Sequence, residues 1–93
     1  MYPRILEQIR ALVREGKYVL SIHAENALTE DQFTEKDLEA AILNGEINRR
    51  EKDPIGRSKY IIEGRAEDQR GLTTVVQLFK TRQLVVIVTA YET

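Results

Sequence analysis

The spacing of apolar residues changes once along this chain, near residue 46, and that change limits the folds it can adopt. Before it, apolar side chains recur every three to four residues, as in Ile5, Ile9 and Leu12. After it they alternate, as in Leu84 and Val86. The first spacing is typical of amphipathic helices and the second of strands. Helices followed by strands predict an α+β fold.

Capping residues divide the first half into three helices. They are expected over residues 3–15, from Ser21 onward, and from Thr34 to Gly45, with a short extended stretch over residues 17–20. Pro3 suits a first helical turn, and Ser21 is a good N-cap. Thr34 and Asp37 form a variant of the capping box, which predicts where the third helix begins.

Four alternating segments follow, separated by short polar turns. They span residues 46–51, 58–65, 71–79 and 84–91. Short turns indicate an antiparallel meander. The expected architecture is one domain over residues 1–93, with N-terminal helices packed on one face of a four-stranded antiparallel sheet.

Strand alternation also predicts which side chains face the helices. The inward set is Tyr60, Ile62, Leu72, Thr74, Val76, Leu78, Leu84, Val86, Val88 and Ala90. The open face is expected to carry Arg65, Thr73, Gln77, Thr89 and Tyr91. A register slip of one residue would exchange the two faces of a strand.

The composition excludes several classes of protein. The chain has no cysteine and one histidine, so a disulfide framework and a zinc site are not expected. The carboxylates of residues 25–39 follow helix faces and form no calcium loop. We expect no metal and no cofactor. The charged, amphipathic N-terminal segment does not resemble a secretory signal, which predicts a cytoplasmic protein without a membrane segment.

His23 is the single histidine, and it falls where an extended stretch meets the second helix. Histidine is the side chain best suited to proton transfer near neutral pH. The first turn of a helix also presents free backbone N–H groups, which bind anions. Together these features suit a phosphate-containing substrate. The alternative is a structural histidine at a helix start, which is the more common role of a lone histidine.

Basic residues cluster around the first two predicted strands. We predict that Arg49, Arg57 and Lys59 contact substrate, because arginine fits the phosphates of an RNA backbone. The open-face hydroxyls of Thr73 and Thr89 are candidates for the same role. A solvated hairpin with mixed charges is the alternative. Arg65 and Tyr91 are of separate interest because both fall near strand ends on the open face.

Four short segments, taken in order, resemble the bacterial DUF4258 family. They are Ser21-Ile22-His23-Ala24, Asn44-Gly45-Glu46-Ile47, the strand over residues 58–65, and Val88-Thr89-Ala90-Tyr91-Glu92. The resemblance covers nearly the whole chain. It rests on the order and spacing of these segments.

The resemblance implies a fold similar to the RelE/ParE and BrnT toxins, in which an exposed sheet face cleaves RNA without metal. By that similarity His23 is the catalytic base, Arg65 stabilises the charge on phosphorus, and Tyr91 is an acid or a stacking platform. The expected partners are RNA and a small antitoxin protein. One departure is that Thr73 stands where the family is expected to have a second histidine.

A non-enzymatic protein-interaction module is the alternative function. Such a module would offer a sheet edge or an apolar helix face to another protein. The apolar run from Leu84 to Val88 also suggests homodimerisation, although a central buried strand has the same composition.

Overall fold

The computed structural model describes residues 2–93 as three helices and five strands. The elements are α1 (Pro3–Arg14), β1 (Tyr18–Leu20), α2 (Ile22–Glu30), α3 (Glu35–Asn44), β2 (Glu46–Lys52), β3 (Ser58–Arg65), β4 (Gly71–Phe79) and β5 (Leu84–Glu92). The α+β class is therefore confirmed. The four long strands begin and end within one residue of their predicted bounds. The capping box of Thr34 and Asp37 is present at the start of α3.

The sheet differs from the prediction in one detail. It has five strands in the order β1-β5-β4-β3-β2, and β1 pairs parallel with β5. The prediction of four purely antiparallel strands was wrong because three residues are too few to show a strand period. Both edges of the Val85–Ile87 segment are now paired, to β1 and to β4. That segment therefore has no free edge for a second copy of the chain.

The core lies between the helices and one face of the sheet. Its fully buried members include Ile9 of α1, Leu38 and Ile42 of α3, and the strand residues Ile62, Leu72, Val76, Val85 and Ile87. Ile61, Thr73 and Val75 point to the opposite face and are not part of this cluster. No helix covers that opposite face within the described residues, and it is called the uncovered face below.

A bulge in β5 changes which of its residues are buried. Val75 lies opposite Thr89, but Val76 lies opposite Ile87, so Val88 is an extra residue. Val85 and Ile87 consequently face the helices, which corrects the prediction that Leu84, Val86 and Val88 do so. Beyond the bulge the prediction is correct, since Ala90 is buried and its two neighbours point away. A bulge exchanges the faces because side chains alternate along a strand.

The end of α3 is fastened to the end of β3. The Asn44 side chain donates from Nδ2 to the carbonyl of Arg65 (2.9 Å) and accepts from its N–H (2.9 Å). These side-chain bonds lie two positions beyond the last β2–β3 backbone pair, Glu46 with Glu63. The close approach of α3 to β3 requires a glycine at position 64, because a Cβ atom on Gly64 would lie 2.0 Å from the carbonyl oxygen of Ala41.

A buried carboxylate fastens the start of α3. Asp37 is 8% exposed and accepts from the backbone N–H groups of Thr34 (2.9 Å) and Glu67 (3.0 Å). The hydrogen bond from Thr34 is the main cause that lowers the pKa of Asp37. Burial opposes it, and the bond from Glu67 and the charge of Arg70 reinforce it. One side chain therefore caps α3 and holds the β3–β4 turn.

We expect Gly64→Ala to destabilise the protein by about 3 kcal/mol, because the new methyl group meets backbone atoms that cannot rotate away. Urea unfolding measures the loss. Gly71→Ala is the matched control, since its Cβ would lie 3.2 Å or more from its neighbours, all atoms of the terminal Thr93. Equal losses in the two variants would contradict the role given to the α3–β3 contact.

Asp37→Asn is expected to cost about 1–2 kcal/mol at pH 7, because a charged acceptor of two backbone bonds is lost. The folded pKa of Asp37 lies below the unfolded value, so its stabilisation is present above the ordinary carboxyl pKa of about 3.9 and is lost as pH falls through the folded value. The difference in unfolding free energy between the two proteins should therefore begin to shrink near pH 4 and continue to shrink as pH falls through the folded pKa. The pKa of Asp53 also lies below its ordinary value, but Asp53 is present in both proteins, so its contribution to the pH dependence cancels in the difference. A pH-independent difference would refute this assignment.

Candidate active site on the uncovered face

The position of His23 follows from the contacts of Ser21, two residues before it. The Ser21 hydroxyl donates to the carbonyl of Val88 (2.7 Å) and accepts from the N–H of Ala24 (3.0 Å). Its backbone N–H donates to the carbonyl of Ile87 (3.0 Å). Ser21 thus caps α2, as the sequence predicted, and joins that helix to the bulge in β5.

The imidazole of His23 is exposed and has no hydrogen-bond partner within residues 2–93. Ala24 and Leu28 turn to the core, and Glu25 lines a cleft with Glu35, so that flank of α2 faces α3. At about 100° per residue, His23 projects from the opposite flank. It therefore projects away from α3 into solvent, from a helix whose start is fastened to β5.

The uncovered face carries a guanidinium and a phenol. Arg49 of β2 donates from Nε to Glu51 (3.0 Å), and Glu51 raises the pKa of Arg49 through this bond and through its charge. Tyr91 and Glu63 shift the pKa in the same direction by their charges, so both lie within electrostatic range of the guanidinium. Tyr91 is 43% exposed.

Strand register shows that these residues share one face. Tyr91, Thr73 and Glu63 lie opposite one another on β5, β4 and β3, and the next outward-facing row runs from Thr89 to Arg49. The short side chains between them are buried although no helix covers them. Long side chains from the flanking strands therefore lie across the middle of the sheet.

Thr73 is one of these short, buried side chains on the uncovered face. It is 1% exposed, and its hydroxyl lies 2.6 Å from that of Thr93. The hydroxyl is therefore engaged below the surface, and the contact of Thr73 with substrate stays a prediction. Thr89 is partly exposed on the same face and stays a candidate.

Arg65 lies far from His23. It ends β3 opposite Gly71, and its guanidinium donates to the carbonyl of Gln69 (2.9 Å). Val88 marks the start of the His23 helix, because it is bonded to Ser21. Five residues along β5 and two strand spacings separate Val88 from the position of Arg65, a distance of roughly 20 Å. An open cavity of about 630 Å³ surrounds Arg65. The structure therefore does not bring Arg65 and His23 together around one phosphodiester group.

Arg57 and Lys59 lie toward the opposite end of the sheet. Arg57 follows the β2–β3 turn, and its guanidinium carbon sits 5.6 Å from the ring centroid of Phe79. Lys59 is half-buried opposite Glu51. These two cations are separated from Tyr91 along the strands, so they can contact a ligand only if it is extended.

Tyr18 is a titratable residue that the sequence did not single out. Its hydroxyl donates to Glu39 of α3 (2.5 Å), and burial, followed by Glu39, raises the pKa of Tyr18. The phenol holds β1 against α3 and is a poor proton donor. Nothing in the local sequence indicates this contact, because the partners are 21 residues apart.

Two further properties concern the described residues as a whole. Within residues 2–93, no three histidine, cysteine, aspartate or glutamate side chains are grouped so that they could hold a metal ion. No helix in the same range combines the length and apolar character needed to cross a membrane.

Comparison with known proteins places the site in a family. A family model described as a domain of unknown function (DUF4258) matches residues 20–92. The match begins just before Ser21 and ends just after Tyr91, so it includes the α2 cap and the uncovered face. Comparisons with curated proteins and with solved structures gave no significant match.

We expect Ser21→Ala to destabilise the protein by about 1–2 kcal/mol, because it removes both the N-cap of α2 and the bond to Val88. Thermal or urea unfolding measures this loss. Thr29→Ala is the matched control, since the Thr29 hydroxyl bonds only within α2 and is exposed. Equal effects would show that the contact to the bulge contributes nothing.

Proposed function

This chain belongs to the DUF4258 family, and from its site we propose that it is a toxin-like, metal-independent endoribonuclease that holds RNA on the uncovered face. The observation that carries the proposal is that Arg49 and Tyr91 share that face within electrostatic range of each other, while Ser21 fastens the helix that carries the exposed His23 to the strand that carries Tyr91. Aromatic and guanidinium groups on an open surface suit RNA, because they bind unstacked bases and phosphates.

The reaction would be attack of a ribose 2′-oxygen on the adjacent phosphorus. A base takes the 2′-hydroxyl proton, the bond from phosphorus to the 5′-oxygen breaks, and an acid protonates that oxygen. The products are a 2′,3′-cyclic phosphate and a 5′-hydroxyl. A cation must stabilise the charge that develops on the non-bridging oxygens.

Three side chains can supply these functions. In our proposal His23 is the base, Arg49 is the cation, and Tyr91 is the acid or the platform for a base. Arg49 takes the role that the resemblance gave to Arg65, because the charge of Tyr91 acts on the Arg49 guanidinium, whereas Arg65 donates to the carbonyl of Gln69. Thr89 borders the same surface and is a further substrate contact.

A non-enzymatic protein-interaction module is the second candidate. The observation that favours it is that Val19 and Ile22 are 48% and 78% exposed at the junction of β1 and α2. Apolar side chains this exposed favour contact with another protein. For either candidate, we expect a small antitoxin-like protein as partner.

The test is cleavage of an end-labelled RNA in buffer containing EDTA, with product ends identified by mass. We expect 2′,3′-cyclic phosphate products, and a fall of about 100-fold or more in rate for His23→Ala, Arg49→Ala and Tyr91→Ala, as is typical for removal of a general acid, base or charge stabiliser. Lys36→Ala changes an exposed cation of α3 and is the control.

The Arg65→Ala variant decides which guanidinium acts. We expect it to retain most of the wild-type rate. A loss equal to that of Arg49→Ala would instead support Arg65 as the cation that stabilises the charge on phosphorus. If the RNA stays intact with every protein, the wild type included, the proposed enzymatic activity is contradicted and the interaction module is favoured.

A further inference from the structure

A cleft at the hairpin end of the sheet concentrates positive charge. It has a volume of about 460 Å³, and its lining includes Arg57, Gln77, Phe79, Lys80 and Arg82. The volume falls within the roughly 300–1,000 Å³ typical of ligand clefts. Four other clefts in the described residues each have a glutamate in their lining. This one has three cations and no carboxylate, and we call it the cationic cleft.

The cations of the cleft are available to a ligand. Within residues 2–93, no ion pair involves Arg57, Lys80 or Arg82. A carboxylate beside the cleft belongs to Asp53, which accepts from the backbone N–H of Arg57 (2.8 Å) and from the Gln77 side chain (3.2 Å). Burial opposes the shift, but hydrogen bonds and the charge of Arg57 lower the pKa of Asp53, so this carboxylate partly offsets Arg57 and leaves Lys80 and Arg82 without an acidic neighbour in the cleft lining.

The cleft also contains a flat surface. The Arg57 guanidinium lies over the Phe79 ring. Unpaired bases stack on aromatic rings and on guanidinium planes, whereas paired bases inside a duplex present no free face. An aromatic platform flanked by unpaired cations therefore matches a base with its neighbouring phosphates.

The cationic cleft is continuous with the candidate active site. Gln77 and Phe79 lie on the uncovered face, because they alternate with the inward-facing Val76 and Leu78. Six residues of β4 separate Phe79 from Thr73, the residue opposite Tyr91, which corresponds to about 20 Å. An extended strand could span this distance along one face.

We propose that the cationic cleft binds single-stranded RNA, with phosphates on Lys80 and Arg82 and an unpaired base on the Phe79–Arg57 platform. This inference rests on the proposed function, since it names the form of RNA that the enzyme takes. It also explains how Arg57 contributes although it lies away from the site of cleavage.

Binding is measured by fluorescence anisotropy with a labelled 2′-O-methyl RNA of twelve nucleotides, which lacks the nucleophilic hydroxyl and stays intact. We expect Lys80→Ala with Arg82→Ala to weaken binding by tenfold or more, and to reduce the slope of log affinity against log salt by about 1.4, or 0.7 for each lost phosphate contact. Phe79→Ala should weaken binding by about tenfold.

Two controls separate this cleft from general charge. Arg4→Ala with Lys36→Ala removes two exposed cations from α1 and α3 and should leave affinity and salt slope within twofold. Circular dichroism confirms that each variant is folded. Because Lys80 and Arg82 are exposed turn residues, their variants test the inference even if Phe79→Ala unfolds.

Several outcomes would overturn the inference. They are absence of RNA binding by the wild type, equal binding by the cleft variants, tighter binding of a duplex than of a single strand, and displacement of the RNA by a polyglutamate peptide whose own binding depends on Phe79. The last result would assign the cleft to an acidic protein segment. If the wild type cleaves RNA and the cleft variants bind RNA as tightly as the wild type, only the cleft inference is refuted. If RNA binding depends on the cleft but no protein cleaves ordinary RNA, only the proposed enzymatic activity is refuted.

Discussion

The hydroxyl of Ser21 is the contact on which the candidate site depends. It donates to the extra residue of the β5 bulge and accepts from the first turn of α2. The bulge lets Val85 and Ile87 enter the core while Tyr91 points to the uncovered face. A regular β5 would put all three on one face, because its side chains alternate. One bridging side chain therefore fixes the start of the helix that carries His23 to the strand that carries Tyr91.

Stability and candidate chemistry occupy opposite faces of the sheet. α3 is held to β3 by Asn44 at its end and by Asp37 at its start. With α1 it buries the apolar face of the sheet. Since these contacts use one face only, the other face is free to carry Arg49 and Tyr91. Substitutions there can alter function at small cost in stability.

The net charge of −1 conceals a charge gradient along the uncovered face. Near Tyr91 the cation Arg49 is surrounded by Glu51 and Glu63, so its field is partly neutralised. At the hairpin end the cations are unpaired. A polyanion would therefore be attracted first to the hairpin end, and the partly neutralised centre would contact it by specific hydrogen bonds. Such a division of roles is consistent with a chain that is not basic overall.

The sequence by itself determined the elements of this protein. Periodicity and capping are local, so Thr34 with Asp37 marked the start of α3, and the four long strands were predicted within one residue. The place of His23 in the first turn of α2 followed from Ser21 in the same way. Only the tertiary structure decided the pairing of β1 with β5, the bulge at Val88 and the placing of Arg49 and Tyr91 on one face of the sheet. These features join residues far apart in the chain, and a bulge inserts one residue without changing the local pattern of apolar side chains.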